Sequence, residues 1–543
     1  MHIGVDFDNT IVCYDALFHK VAREKHLIPA DVPVNKSDVR NYLRRAGNED
    51  AWTEMQGYVY GARMAEAAPY PGVGEFFQAC RAAGIRIFII SHKTRHPFLG
   101  EKHDLHAAAT NWLEQQGFFD PASLGLPRES VFFELTKEAK LARIAERGCT
   151  HFIDDLPEFL GEPAFPAGAL RILFDSNNLY AGDTRFVRIQ SWEEAQALFT
   201  ADLTNSSETA ALREKLLPLA RSCSVKGGLL LQPLPGGANN RVFRLRAEGA
   251  DHVLKVYFQN PADPRDRFHA ERAFYNHLWR HNVRRTPEPC GWDEQHRFGL
   301  FSFVPGRKLR PGEVTEDFVG QALDFVLEAN QARATVSPDS IPIASEACFS
   351  VAEHLALVER RIARLQHIGT QTDIDAQATA FVRDELNPAW EKIRAAIAAE
   401  SGSSVDDVLP RTGRCLSPSD FGFHNALLAA NGRLHFFDFE YAGWDDPAKL
   451  VCDFFCQPQI PVSETHWDQF VPLLDRALGC AGTLIQRARR LLPAYRIKWC
   501  CIMLNDFVRS EIARREFSLG PSAGEDRKQT QLKKSQRALA RLR

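Results

Sequence analysis

Over residues 1–200 short apolar segments alternate with amphipathic ones, a rhythm that leaves few folds open. Strands are predicted at Ile3–Phe7, Ile85–Ile90, Val131–Phe133, His151–Ile153 and Leu170–Phe174. Helices such as Gly72–Ala83, Asp104–Gln116 and Lys137–Arg147 lie between them. That order builds a doubly wound α/β fold, a parallel sheet with helices on both faces. A mostly helical, aromatic-containing stretch from about 16 to 70 (Tyr42, Trp52, Tyr58, Tyr60) interrupts the rhythm and reads as a cap over the carboxyl edge of the sheet.

At 543 residues the chain exceeds one ordinary core, and a second pattern begins near residue 200. Asp202–Glu208 is polar and turn-rich, and Ala210–Arg221 reads as an entering helix, so 201–225 is expected to link two domains. Gly227–Leu234, Arg241–Arg246 and His252–Tyr257 read as short antiparallel strands, followed by a helix over Asp266–Arg280 and a strand over Leu300–Val304. These elements make a small α+β lobe over 226–305. A larger helical lobe follows over 306–525, broken by a loop-and-hairpin region from Cys415 to Glu440. The basic tail 526–543 reads as a solvated helix.

Formal net charge is −3, so no global basic field points to nucleic acid or an anionic membrane. No apolar run approaches the ~20 residues that span a bilayer, and nothing at the N-terminus reads as a secretory signal. The 12 cysteines are scattered and include no C-x-x-C pair, which argues against zinc and disulfides and for a reducing cytoplasm.

Three of the predicted strands end on chemistry. His2-Ile3-Gly4-Val5 leads into Asp6-Phe7-Asp8-Asn9-Thr10, Ile89-Ile90 into Ser91, and His151-Phe152-Ile153 into Asp154-Asp155. In open α/β sheets this edge is where ligands bind. Asp6 there can attack phosphorus as a nucleophile, and Asp8 can protonate the leaving oxygen and then activate water. Carboxylates gathered beside a phosphate imply a hard cation, Mg²⁺, with Asp6, Asp8, Asp154 and Asp155 as ligands. Lys137 and Lys140 open a later helix, and either ammonium could neutralise the transferring group; Lys137 is slightly preferred. The order Asp, Ser, Lys, acidic pair resembles the haloacid dehalogenase-like hydrolase superfamily over about residues 1–195. That resemblance implies an aspartyl-phosphate intermediate, with Asp8 marking a phosphatase. The helical insert is expected to select a small phosphorylated metabolite.

The second half carries a different set. Pro235-Gly236-Gly237-Ala238-Asn239-Asn240 lies between two predicted strands, where backbone N–H groups of a glycine turn can meet nucleotide phosphates; Gly236, Gly237 and Asn239 are the candidates. Lys255 lies on the next strand and Glu271 on the next helix, the pairing by which kinases fix a lysine on phosphates. Downstream, Asp420 and Asn425 are five apart, and Asp438 follows the strand Leu434–Phe437. This spacing resembles the aminoglycoside phosphotransferase and choline kinase-like superfamily over about residues 225–510. The resemblance implies a bilobal protein-kinase-like fold, ATP, Asp420 as base and Asn425 and Asp438 as Mg²⁺ ligands. Pro418-Ser419 stands where that superfamily carries His-Gly.

The two halves together predict a bifunctional enzyme, a Mg²⁺-dependent phosphatase fused to an ATP-dependent kinase of a small-molecule alcohol. The habits of the two superfamilies point to phosphosugar or surface-polysaccharide precursor metabolism. Two alternatives stay open: a phosphatase regulated by a nucleotide-binding pseudokinase, and a protein kinase with an opposing phosphatase.

Overall fold

The structure, a computed structural model, describes all residues except 204–205, 235–239, 260–264, 338, 370–371, 509–524 and 543. The chain divides into two compact units, Met1–Pro233 with Arg244–His252, and Leu234–Phe243 with Val253–Arg543. The boundary expected near residue 200 falls inside a helix, Trp192–Leu203.

In the first unit six strands form one sheet, in the order Val131–Glu134, Arg86–His92, His2–Val5, His151–Asp154, Leu170–Phe174 and Val187–Ile189. Each neighbouring pair is parallel. His2–Val5 is central, and its Ile3 and Val5 are fully buried, as strands covered on both faces require. Gly4 is obligatory there, because a side chain at that position would run into the Phe152 ring. Val187–Ile189, a three-residue strand interrupted by Arg188, is the sheet member that the sequence pattern missed. The helices Val73–Ala82, Leu105–Gln115 and Lys137–Glu146 match the predicted ones within a residue or two.

The insert is three helices, Asp15–Glu24, Lys36–Arg45 and Glu49–Tyr60, closed by the short hairpin Val12–Cys13 with Ala68–Pro69. Phe18 and Trp52 are buried in its interior, where Phe18 stacks on Trp52 and meets the partly buried Tyr60 edge-on. Asn35 begins the second helix by accepting from the N–H groups of Ser37 and Asp38.

In the second unit the strand His252–Val256 lies beside the antiparallel hairpin Pro289–Asp293 and Phe298–Ser302. The helix Arg267–Arg280 follows, capped by Asp266. Beyond it the chain is helical around one large core. Two short antiparallel ladders interrupt it, Cys415–Ser417 with Gly443–Asp445 and Ala426–Leu428 with Leu434–Phe436.

The last helix, Glu525–Ala540, corrects the expectation of a solvated tail. Leu532 and Leu539, seven apart and so on one face, are buried, and Ser535 between them donates to the carbonyl of Cys500 at 3.2 Å. No disulfide joins the cysteines among the described residues. Among the described residues no helix is long and apolar enough to cross a membrane.

Candidate active sites

At the carboxyl edge of the parallel sheet the buried amino group of Lys140 lies 2.6 Å from Asp6 Oδ1 and 2.6 Å from Asp154 Oδ2. Burial opposes its charge, but Asp154 and Asp6 hold its pKa above the ordinary range. Burial is also the main reason that the Asp6 carboxyl is pushed up to about 7, with Asp154 and Asp8 adding to the rise and Lys140 opposing it. The preferred lysine of the sequence is therefore corrected: Lys137 sits at the surface on Glu162, at 3.2 Å. Both lysines share the helix face of Leu141 and Ile144, but Lys137 is the first residue of the helix.

Carboxylate oxygens of Asp6, Asp154 and Asp155 lie within 4.8 Å of one another. This all-oxygen set suits a hard divalent cation such as Mg²⁺. Burial and the Asp154 and Asp6 charges drive the Asp155 carboxyl well above its ordinary range, as expected of a cluster with less positive charge than it can take. Asp8 was expected in this group and is not part of it. Its carboxylate accepts from Lys93 Nζ at 2.9 and 2.8 Å and from the Tyr14 hydroxyl at 2.6 Å. Against the effect of burial, Lys93 and Tyr14 hold its pKa below the ordinary value. Ser91 is buried at the end of its strand, as expected.

Sequence reasoning passed over Lys93 and Tyr14. Strand alternation offered a signal for the first, since Ser91 and Lys93 are two apart and share a side. Nothing local marks Tyr14.

In the second unit Lys255 Nζ lies 2.5 Å from Glu271 Oε2 and 2.5 Å from Asp438 Oδ1, so the predicted lysine–glutamate pair is joined by the third expected residue. Burial raises the Glu271 carboxyl to about 7 against the pull of Lys255, while Asp438 and Glu271 keep Lys255 charged despite its burial. Glu271 Oε1 also accepts from the N–H of Phe439, tying the helix to the backbone just after Asp438. Asp438 itself has φ +70, a left-handed conformation uncommon outside glycine.

The loop 418–425 hangs between the two short ladders. Asn330 anchors its entry by exchanging two hydrogen bonds with the backbone of Leu416, at 2.8 and 2.9 Å. Asn425 Nδ2 donates to the carbonyl of Asp420 at 3.0 Å, which closes the loop. The Asp420 carboxylate is 39% exposed and meets His424 Nε2 at 3.2 Å. Burial works against its ionised form, yet His424 holds its pKa below the ordinary value. His424 thus touches the candidate base.

Ser419, at the position of the superfamily's glycine, takes φ +66. Its hydroxyl accepts from buried Lys449 at 3.1 Å and donates to the carbonyl of Ser345 at 3.2 Å. Lys449 is balanced by Asp445 at 2.7 Å. The loop is thus supported from below without a histidine. Gly236, Gly237 and Asn239 lie outside the described residues. Asn240, next to them, is buried and hydrogen-bonded to Glu440.

Residues 230–489 match the model of the phosphotransferase enzyme family (APH). No curated protein matches the chain. Solved structures similar to it include a spectinomycin phosphotransferase in complex with ADP and spectinomycin, at 10% identity and a TM-score of 0.38, covering 60% of this chain and 98% of that one. A choline kinase from Cryptosporidium parvum is 11% identical with a TM-score of 0.39, covering 61% and 96%. A choline kinase from Streptococcus pneumoniae is 13% identical with a TM-score of 0.36, covering 62% and 99%. The family match supports a phosphotransferase-type domain over residues 230–489, a little under half of the chain.

Proposed function

We propose that the chain is a bifunctional enzyme, an ATP-dependent kinase of a small-molecule alcohol joined to a Mg²⁺-dependent phosphatase. The observation that carries this reading is that each unit holds a buried lysine joining two carboxylates. These are Lys140 between Asp6 and Asp154, and Lys255 between Glu271 and Asp438.

In the kinase half Lys255 meets the nucleotide phosphates, its direction set by Glu271. Asp420 accepts the proton of the acceptor hydroxyl as the oxygen attacks the terminal phosphorus and ADP departs. Asn425 and Asp438 would hold Mg²⁺ on the nucleotide, since both offer oxygen donors at the loop. The support of Ser419 by Lys449 favours a working loop over a pseudokinase.

In the phosphatase half an Asp6 oxygen attacks phosphorus, and the bond to the leaving oxygen breaks. Lys140 stabilises the charge gathering on the phosphoryl oxygens, and Ser91 donates to them. Water then attacks the aspartyl phosphate and frees Asp6, with Asp8 exchanging the protons. Asp6, Asp154 and Asp155 would hold Mg²⁺, which when bound neutralises the phosphoryl group.

The test uses full-length Asp6→Asn protein, so that a kinase product survives, with ATP, Mg²⁺ and a small-metabolite extract. The Asp6→Asn/Asp420→Asn double variant is the control. Mass spectrometry is expected to find a metabolite that gains one phosphate only when Asp420 is present. Wild-type protein should then release that phosphate, or one from a related ester, while Asp6→Asn does not. No Asp420-dependent product would sink the kinase half, and no Asp6-dependent release the phosphatase half.

A further inference from the structure

Lys36 reaches from the second cap helix into the loop that follows Asp8. Its own N–H is held by Asp15 Oδ1 at 2.9 Å at the Asn35-capped start of the helix, so its backbone is fixed. Its ammonium donates to Asn9 Oδ1 at 2.8 Å and to the Tyr60 hydroxyl at 2.8 Å, both uncharged oxygens. The rings of Tyr60, Phe18 and Tyr14 stand 5.4, 5.4 and 5.6 Å away. Asn9 takes φ +58 in this arrangement, a left-handed conformation that asparagine tolerates.

Three ammonium groups surround the nucleophile loop, and two are neutralised in place. Lys140 has Asp6 and Asp154, and Lys93 has Asp8. Lys93 also lies 4.7 Å from the centre of the same Tyr60 ring that Lys36 binds. Lys36 forms no ion pair among the described residues, and two neutral acceptors leave its third N–H bond unused. The Asp155 and Asp8 carboxylates favour its charge from a distance, but neither is in contact with it, so the ammonium keeps a donor for an incoming anion.

We infer that Lys36 is a specificity-determining residue that receives a second anionic group of the substrate. The N-terminal site is then built for phosphate monoesters that carry a further carboxylate or phosphate. This inference rests on the phosphatase reading above and narrows its substrate class.

The full-length protein with Mg²⁺ should be given two matched pairs of probes. Glycerol 3-phosphate is paired with 3-phosphoglycerate, and fructose 6-phosphate with fructose 1,6-bisphosphate. Phosphate release from the doubly anionic member of at least one pair should be favoured in kcat/KM by roughly 10- to 100-fold, the size of a charge-assisted hydrogen bond. Which pair responds distinguishes a carboxylate from a second phosphate. Lys36→Met should bring that ratio towards one, and Lys36→Arg should keep most of it. Equal rates within both pairs, or a preference that survives Lys36→Met, would overturn the assignment while leaving the phosphatase reading intact. If no probe is hydrolysed, calorimetry on Asp6→Asn decides. A preference in binding that depends on Lys36 supports the anion site and removes only the hydrolytic reading, and no binding overturns both.

Discussion

The two lysine-centred sites use the same device in different surroundings. Around Lys140 everything is closed: the lysine and both carboxylates it joins are at most 8% exposed. Around Lys255 one partner is open, with the Asp438 side chain 38% exposed and Glu271 at 2%. A closed centre cannot lose a charge without leaving another stranded. The open one can exchange a partner, since Asp438 can turn to a ligand while Glu271 keeps the lysine in place. The first arrangement suits a nucleophile that stays put, the second a nucleotide that enters and leaves.

Removing each lysine tests that contrast. Lys140→Met should lower phosphate release at least ~10³-fold and also destabilise the domain, because two buried carboxylates lose their counter-charge. Lys137→Met should leave release within about twofold, as expected for an exposed pair. Equal losses in the two variants would break the assignment. Lys255→Met should lower ATP-dependent phosphoryl transfer about 10²-fold, with a smaller shift in melting temperature than Lys140→Met, since Asp438 can be solvated. A larger shift would show that its openness does not matter.

The sequence offered Lys137 and Lys140 together and could not choose rightly between them. Periodicity places 137, 140, 141 and 144 on one helix face, but it does not say where the helix begins relative to the sheet edge. Lys137 is at its first turn, beyond Asp6, and only tertiary packing decides that. Lys93, Tyr14 and Lys36 were missed for a related reason: their partners Asp8 and Asn9 lie between 6 and 85 residues away in sequence. The strands were legible because apolar runs between helices admit few other readings, and the strand-end aspartates followed from them. Likewise Lys255 and Glu271 pair as the order of strand and helix predicted, while the contact of Lys255 with Asp438 is one that sequence reasoning did not foresee.

The smallest effect concerns a charge pair behind the loop 418–425, beside Ser345. Glu346 is held down to about 2, where burial would raise it, chiefly by Arg361 at 2.5 Å. Its folded pKa is depressed, so this stabilisation is fully present above the ordinary value of 4.5 and is lost as pH falls towards 2. Glu346→Gln should cost about 2 kcal/mol at neutral pH, and the gap from wild type in chemical denaturation should shrink between pH 4.5 and 2. A gap independent of pH would show that packing, not charge, is at stake.

The burial of the last helix bears on how the phosphotransferase-family domain could be excised. The family match ends at residue 489, inside the helix Thr483–Met503, and begins at 230, inside the strand Lys226–Pro233. A fragment trimmed to those limits would end a third of the way into that helix and lose Cys500 together with the last helix that packs on it. It would present raw apolar surface and aggregate, so a working piece must run through Ala540.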